Sequence, residues 1–315
     1  GSNIWRNQEL QKNGELGKPI NWGDETEMKN EALKIAKEAD VIVCAMGECA
    51  DMSGECGSRT NLEMPDVQHE LLAELVKLGK PVVLLNFAGR PTVLTWEKQH
   101  VPAIMNVWFG GSEMGDALCD VLFGDKVPSG KLTTSMPKTT GQEPIYYNHQ
   151  NTGRPVADDN KKFAKFASNC LDVSNGPLYP FGYGLSYTTF EYSNFKLSSQ
   201  EADINGNQEA TEWQNGKKIT ATVTVKNTGA RDADEVVQLY IRDMVASISR
   251  PVKELKGFQR IHLVAGESKE VSFEITPDML KFYNIELKHV IEPGDFQIMV
   301  GANSREVKTL NFNVK

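Results

Sequence analysis

The residues with the clearest capacity for acid–base chemistry lie in one polar loop, residues 47–62, which follows a short apolar run. The loop contains three carboxylates, Glu48, Asp51 and Glu55, and one guanidinium, Arg59, in a segment loosened by glycines. Carboxylates at the end of a strand suit general acid and base catalysis, because partial burial there can move a pKa towards neutrality. The alternative is a solvated loop in which Arg59 pairs with a neighbouring acid, and composition alone favours that alternative.

The other reactive side chains form no motif. Cys49 and Cys56 lie close together in the loop, but a nucleophilic cysteine needs a histidine partner and a metal site needs more ligands. We expect both to be small loop or core residues, and a disulfide between them stays open. The five histidines are scattered, and His149 is expected to have a structural hydrogen-bonding role. Because there is also no CxxC pair, the sequence predicts no metal site and no cofactor.

Helices and strands that alternate along the chain must position the loop. Apolar residues recur at helical spacing between residues 26 and 39, and the β-branched run at 39–47 predicts a buried strand. Further helices are predicted at 65–78, 91–99 and 110–123, and further strands at 81–86 and 102–107. This alternation indicates a parallel sheet covered on both faces, which binds ligands at the carboxyl ends of its strands. The acidic loop follows the first strand and is therefore the first candidate site.

The second half of the chain has a different pattern. Residues 124–189 are rich in proline, glycine and aromatic residues, which predicts a long ordered connection rather than a disordered linker. Its aromatic side chains could stack on sugars, although a packing role is more common. After residue 189 apolar and polar residues alternate, as in 219–225, 235–241, 269–275 and 295–300. Short alternating strands separated by turn residues predict an antiparallel β-sandwich.

Composition excludes several classes of partner. The 315 residues suit about two domains, and 34 basic against 42 acidic residues give a formal net charge of -8. This acidic balance argues against nucleic acid or an anionic membrane surface as a partner, since binding to either requires clustered Lys and Arg. The sequence contains no run of about 18 apolar residues, which is the length needed to span a bilayer. The first residues lack the features of a signal peptide and there is no initial methionine, so we expect a piece of a longer protein.

Several motifs, in one order, resemble the C-terminal half of the family 3 glycoside hydrolases, the family of β-glucosidases and β-xylosidases. The motifs are Gly54-Glu55-Cys56-Gly57-Ser58-Arg59-Thr60-Asn61-Leu62, Asn86-Phe87-Ala88-Gly89-Arg90-Pro91, Trp108-Phe109-Gly110-Gly111-Ser112, Pro128-Ser129-Gly130-Lys131-Leu132, Tyr146-Tyr147-Asn148-His149 and Tyr179-Pro180-Phe181-Gly182-Tyr183-Gly184. Each is weak alone, but together they are specific, and they cover the chain from about residue 26 to its end. The resemblance implies an α/β fold, a mostly parallel-sheet α/β sandwich followed by an all-β fibronectin type III-like sandwich.

The resemblance also implies a domain organisation. Residues 1–25 would be the irregular N-terminal segment of a truncated domain. Residues 26–189 would form the α/β sandwich domain, which carries the acidic loop and includes the long connection 124–189. Residues 190–315 would form the fibronectin type III-like β-sandwich. A (β/α)8 barrel domain would precede all of these in the longer protein.

The site residues follow from the same resemblance. Glu55, just before a Ser-Arg-Thr stretch, matches the position of the general acid and base in this subgroup of the family. Glu48 and Arg59 match loop positions, where they would support the loop or bind substrate. The nucleophile of the family is an aspartate on the barrel, so no nucleophile is expected in this chain.

The implied function is that of a retaining β-glycosidase, similar to a β-glucosidase, that hydrolyses terminal β-D-glucosyl residues. Its partners would be a β-glucoside or oligosaccharide substrate and the missing N-terminal barrel, and the isolated chain would be inactive. Glucose and xylose cannot be told apart from the sequence, and a homodimer stays open. The resemblance implies a periplasmic or secreted location. The alternative is a non-catalytic carbohydrate-binding or scaffolding module, which would bind sugar by itself.

Overall fold

The computed structural model describes residues 24–49, 52–159 and 165–315, which fall into two compact units. The first unit contains the described residues up to 114 together with 136–143, and the second contains 115–135 and the described part of 144–315. Apart from Asp24 and Glu25, the segment predicted to be irregular, residues 1–25, lies outside the described residues. The expected domain boundaries after residues 25 and 189 stay predictions.

The first unit is built on a three-stranded parallel sheet. Its strands are β1 (Ile42–Gly47), β2 (Val82–Phe87) and β3 (Ala103–Asn106), and β2 lies in the middle. All three strands point the same way, so residues 48, 88 and 107 leave the sheet at one edge. The predicted parallel α/β architecture of this part of the chain is confirmed.

The helices of the first unit are α1 (Glu25–Glu38), α2 (Asp66–Val76) and α3 (Thr95–His100), while α4 (Met114–Phe123) belongs to the second unit from Gly115 onwards. Helix α1 begins where the side chain of Asp24 accepts a hydrogen bond from the Glu27 N–H at 2.9 Å, which satisfies a free donor of the first turn. Apolar side chains of α1 and α2, including Ala36 and the fully buried Leu72, pack with β1 and β2. No helix in the described ranges combines the length and the apolarity needed to cross a bilayer.

Two helices begin later than the apolar pattern predicts. Helix α3 begins at Thr95 and not at Pro91, because the Val93 N–H donates to the Leu62 carbonyl at 2.9 Å and keeps this stretch extended. Helix α4 begins at Met114, whose N–H donates to the Gly111 carbonyl at 3.1 Å in a turn that precedes the helix. A hydrogen bond to a distant segment therefore delays α3, and a turn before the first helical residue delays α4.

The second unit is dominated by antiparallel strands. One sheet has three strands, in the order β4 (Phe190–Leu197), β6 (Ile219–Asn227), β9 (Ser268–Ile275). The other has five, in the order β5 (Glu201–Ala202), β13 (Val307–Val314), β12 (Gly294–Gly301), β7 (Ala233–Asp243), β8 (Glu254–Leu263). A short helix, α5 (Pro277–Leu280), precedes the small hairpin of β10 (Phe282–Tyr283) and β11 (His289–Val290).

The period-two pattern explains why these strands form a sandwich. In β6 the buried apolar residues are Ile219, Ala221, Val223 and Val225, while the residues between them are less buried. Alternate residues of β12 join the same core, so the inner faces of the two sheets share one hydrophobic cluster. The predicted all-β sandwich in the second half of the chain is therefore confirmed.

The aromatic-rich connection packs against the five-stranded sheet. Tyr147 stacks on Phe181 with ring centroids 4.3 Å apart, and its edge contacts Tyr240 of β7. A second tie is an ion pair in which Lys131 Nζ lies 3.0 Å from Glu235 Oε1. The two side chains are only 12% and 4% exposed, so neither charge has ready access to water. These contacts give much of the connection a packing role.

Lys131→Met should lower the free energy of unfolding by about 3–5 kcal/mol, because it leaves the carboxylate of Glu235 buried without its cation. Urea unfolding followed by circular dichroism measures the change. Lys308→Met, at an exposed lysine of β13, is the matched control and should change stability by less than about 0.5 kcal/mol. Equal losses in the two variants would contradict a structural role for the ion pair.

Candidate functional site

The candidate site is built on the carboxyl ends of β1 and β2. Glu48 directly follows β1, and its N–H continues the parallel ladder by donating to the Phe87 carbonyl at 2.7 Å. The segment 88–90 follows β2, and Ala88 at its start is fully buried. Because neighbouring parallel strands end at the same sheet edge, residues 40 positions apart in the chain meet here.

Gly47 and Gln68 shape the end of β1. Gly47 has a φ of +130°, and a Cβ at this position would collide with the Phe87 carbonyl oxygen, so only glycine fits. The buried amide of Gln68, on α2, accepts from the Gly47 N–H at 2.6 Å and donates to the Gly47 carbonyl at 3.0 Å. The amide therefore satisfies both backbone groups at the point where the strand ends and the loop begins.

The carboxylate of Glu48 is the centre of the site's charge network. Arg59 Nη1 lies 2.9 Å and Arg90 Nε 3.0 Å from its Oε1, and the Gly89 N–H donates to its Oε2 at 3.3 Å. The Glu48 side chain is 1% exposed, while the two arginines are 17% and 20% exposed. A buried carboxylate needs such partners, since an unpaired charge there would cost several kcal/mol.

Glu55 lies in a tight turn of the same loop. The Gly57 N–H donates to the Gly54 carbonyl at 3.1 Å, so Glu55 and Cys56 are the two central residues of a four-residue turn. Cys56 has a φ of 62°, in the left-handed region that a non-glycine residue adopts at a cost of about 1 kcal/mol or more. The turn therefore depends on contacts with its surroundings.

Arg90 supplies such contacts. Its Nη2 donates to the carbonyls of Met52 and Gly57, each at 2.5 Å, while its Nε faces Glu48. Arg59 bonds elsewhere in the loop, because its Nη2 donates to the Glu63 carbonyl at 3.0 Å. One guanidinium thus holds the turn, and the other holds the downstream part of the loop.

The predicted site residues take two different environments. Glu48 and Arg59 are brought together by direct contact, while Glu55 is exposed and has no hydrogen-bond or ion-pair partner among the described residues. Cys49 and Cys56 are free thiols, and Asp51 lies outside the described residues. An exposed carboxylate on a turn that rests on a buried charge network can exchange protons with a bound molecule.

Sequence reasoning gave no role to Arg90 or Gln68. Arg90 stands three residues after β2, in a motif recognised only for its resemblance, and position at the carboxyl end of a parallel strand was the available signal. Gln68 lies in the first turn of α2 and resembles any polar helical residue, so no local signal marks it. Their roles depend on contacts between segments that are distant in sequence.

A second polar cluster supports the strand ends from the side. The buried side chain of Asn86 donates from Nδ2 to Thr92 Oγ1 at 3.1 Å and to Asn106 Oδ1 at 2.8 Å. These bonds connect β2, β3 and the segment between α3 and the site. Over the described ranges, no group of three or more His, Cys, Asp or Glu side chains is arranged to hold a metal ion.

Comparison with known proteins identifies two domain families in the chain. The glycosyl hydrolase family 3 C-terminal domain matches residues 6–187, which is more than half of the chain. The fibronectin type III-like domain matches residues 235–304. Both matches agree with the parallel sheet of the first unit and the β-sandwich of the second.

Similar whole proteins are longer than this chain. A periplasmic beta-glucosidase of Salmonella typhimurium is 47% identical over 287 residues, which are 91% of this chain and 36% of that protein. A beta-xylosidase of Formosa agariphila is 41% identical over 288 residues, 90% of this chain and 37% of that protein. The structure of a beta-glucosidase from Listeria innocua in complex with gluconolactone superposes with a TM-score of 0.84 at 40% identity, and the match covers 93% of this chain and 39% of that one.

Glu48→Gln should lower the free energy of unfolding of the first unit by about 3 kcal/mol. The change removes the buried charge that both arginines face, and the arginines, being partly exposed, recover some hydration. Urea unfolding followed by tryptophan fluorescence measures it. Glu63→Gln, at an exposed glutamate of the same loop, is the isosteric control and should have little effect. A Glu48→Gln variant as stable as this control would show that the network is not stabilising.

Proposed function

The chain belongs to glycosyl hydrolase family 3, and from this premise we propose that it is the C-terminal part of a retaining β-glycosidase in which Glu55 is the general acid and base. The observation that carries the proposal is the exposed carboxylate of Glu55 on a turn at the carboxyl end of the sheet. A side chain that must reach the glycosidic oxygen of a bound sugar cannot be sealed inside its own domain. Its position is also supported by Arg90, which bonds the backbone on both sides of the turn.

In the proposed mechanism, each of two domains supplies one catalytic carboxyl group. In retaining enzymes these groups lie about 5–5.5 Å apart, one as nucleophile and one as acid and base. The nucleophile would be an aspartate on a (β/α)8 barrel that precedes this chain, and it would attack the anomeric carbon. Glu55 would give its proton to the leaving glycosidic oxygen and then take a proton from the water that releases the sugar.

Glu48 and Arg59 would act on the loop and not on the substrate. The carboxylate of Glu48 is buried and fully engaged with Arg59, Arg90 and the Gly89 N–H, so it has no free face for a sugar. Arg59 is more exposed than Glu48, and its guanidinium also donates to the Glu63 carbonyl. We therefore assign to both a loop-supporting role.

The substrate class and location are proposed from the relatives. The Salmonella typhimurium relative is named a periplasmic beta-glucosidase, which supports terminal β-D-glucosyl substrates and a periplasmic or secreted location. The Formosa agariphila relative is named a beta-xylosidase, so β-D-xylosyl substrates are the second candidate. The chain spans little more than a third of either protein, and the choice between sugars would then rest with the part that precedes it.

The isolated 315-residue chain should not hydrolyse an aryl β-glucoside at a measurable rate, because the proposed nucleophile lies outside it. Addition of the preceding polypeptide, in one chain or as a separate domain, should restore turnover. Release of the aryl group, measured by absorbance, checks both statements. Ordinary turnover by the isolated chain would contradict the division of labour. Tight binding of gluco-oligosaccharides by the isolated chain, measured by calorimetry, would favour a carbohydrate-binding module instead.

In the protein that includes the preceding polypeptide, Glu55→Ala should lower kcat/KM by about 10²–10⁴-fold on glucosides with a poor leaving group. On a dinitrophenyl glucoside, which needs little protonation, glycosylation should be far less affected. Steady-state rates over a series of aryl glucosides measure the difference. Glu63→Ala in the same loop is the matched control. Equal losses across the series would remove Glu55 from the role of acid.

A further inference from the structure

We propose that Arg90 is the positioning residue for the turn that carries Glu55, and that it acts through the two backbone carbonyls on either side of that turn. The inference rests on the proposed function of Glu55 and assigns a role to a residue outside the acidic loop. Arg90 Nη2 donates hydrogen bonds to the Met52 carbonyl before the turn and to the Gly57 carbonyl at its end, each at 2.5 Å.

The backbone of the turn makes few other hydrogen bonds. In the described part of 52–57, the Met52 N–H donates to the Cys49 carbonyl at 3.0 Å and the Gly57 N–H to the Gly54 carbonyl at 3.1 Å, and both bonds lie within the loop. Such local bonds set the shape of a turn but not its place relative to the strands. The bonds from Arg90 are different, because this residue is anchored just after β2.

The backbone before Arg90 is itself closely packed. Ala88 is fully buried, and a Cβ on Gly89 would collide with Ser53 Oγ in the loop and approach Phe109 Cε2 to 2.6 Å. The segment after β2 therefore lies directly against the loop, and glycine permits this approach. The guanidinium of Arg90 is therefore attached to closely packed backbone at the end of the central strand, and its hydrogen bonds connect that backbone to the turn.

Arginine suits this position for a reason of geometry. A guanidinium has five N–H donors in a rigid plane, so one side can serve the Glu48 carboxylate while the other serves two carbonyls. A lysine ammonium keeps the charge towards Glu48 but cannot keep the same set of three partners on one fixed plane. Arg90→Lys therefore separates the positioning of the turn from the charge balance of the network.

The first experiment is amide hydrogen exchange on the 315-residue chain. Arg90→Lys should speed exchange in residues 52–57 by about tenfold or more, while the amides of β2 stay protected. Arg59→Lys is the matched control, because Arg59 faces the same carboxylate but bonds the Glu63 carbonyl and not the turn. Its exchange in 52–57 should stay within about threefold of the parent chain. Arg90→Gln is the second variant if Arg90→Lys loses the protection of β2, since Arg59 still neutralises Glu48.

The second experiment uses the protein that includes the preceding polypeptide. Arg90→Lys should lower kcat/KM by about 10–100-fold on poor leaving groups and much less on dinitrophenyl glucoside, because kcat/KM reports the step in which the acid acts and a shift of about 1 Å at the acid can cost this much. Arg260→Lys, on an exposed arginine of β8, is the control for activity. In a Glu55→Ala background Arg90→Lys should cause little further loss, since the group that it positions is gone.

The outcomes separate the two claims. The positioning role is overturned if amide exchange at 52–57 is unchanged in a folded Arg90 variant. It is also overturned if Arg90→Lys lowers kcat/KM equally with every leaving group while Glu55→Ala shows the graded loss. Either result leaves the proposed role of Glu55 intact. If Glu55→Ala itself shows no dependence on the leaving group, the proposed function fails, and the catalytic role of Arg90 fails with it. Faster exchange together with the graded loss of activity supports both.

Discussion

One buried carboxylate organises the candidate site. Glu48 is almost without exposed surface, and a charge in that position persists only if cations and N–H donors surround it. Its partners, Arg59, Arg90 and Gly89, come from two segments that are otherwise irregular. The parallel strands bring Gly89 and Arg90 to the end of the first strand, and the ion pair with Glu48 holds Arg59 there as well. Each arginine then has donors left over, and these fix backbone carbonyls farther along the loop.

The result is a rigid base below an exposed turn. The sheet end is held by backbone ladders, by the Gln68 amide and by the Asn86 cluster, all of which are buried. The turn above it contains a residue in the left-handed region and an exposed carboxylate. A group that exchanges protons with a partner needs access, and it also needs a fixed place. The structure separates a buried carboxylate, Glu48, from an exposed one, Glu55, and this arrangement supports the proposed role of Glu55.

The second unit also contains a nearly buried ion pair, which attaches an irregular segment to a sheet. The ion pair of Lys131 and Glu235 is nearly buried and joins the proline- and glycine-rich connection to β7. Aromatic stacking of Tyr147 on Phe181 extends this attachment. Long segments without regular structure cannot pair all of their backbone N–H and C=O groups in strand ladders. Specific polar and aromatic contacts therefore decide where these segments lie.

Features that depend on local pattern could be predicted from the amino-acid sequence. Period-two alternation predicted the strands of the sandwich, apolar runs predicted the parallel strands, and the motif around Glu55 pointed to the loop, because each signal lies within a few consecutive residues. The start of α3 could not be predicted in this way, because it depends on a hydrogen bond from Val93 to Leu62. Nor could the arginine partners of Glu48, which lie 11 and 42 residues away. Local pattern carries no record of such contacts, since they exist only after the strands have brought distant segments to one sheet edge.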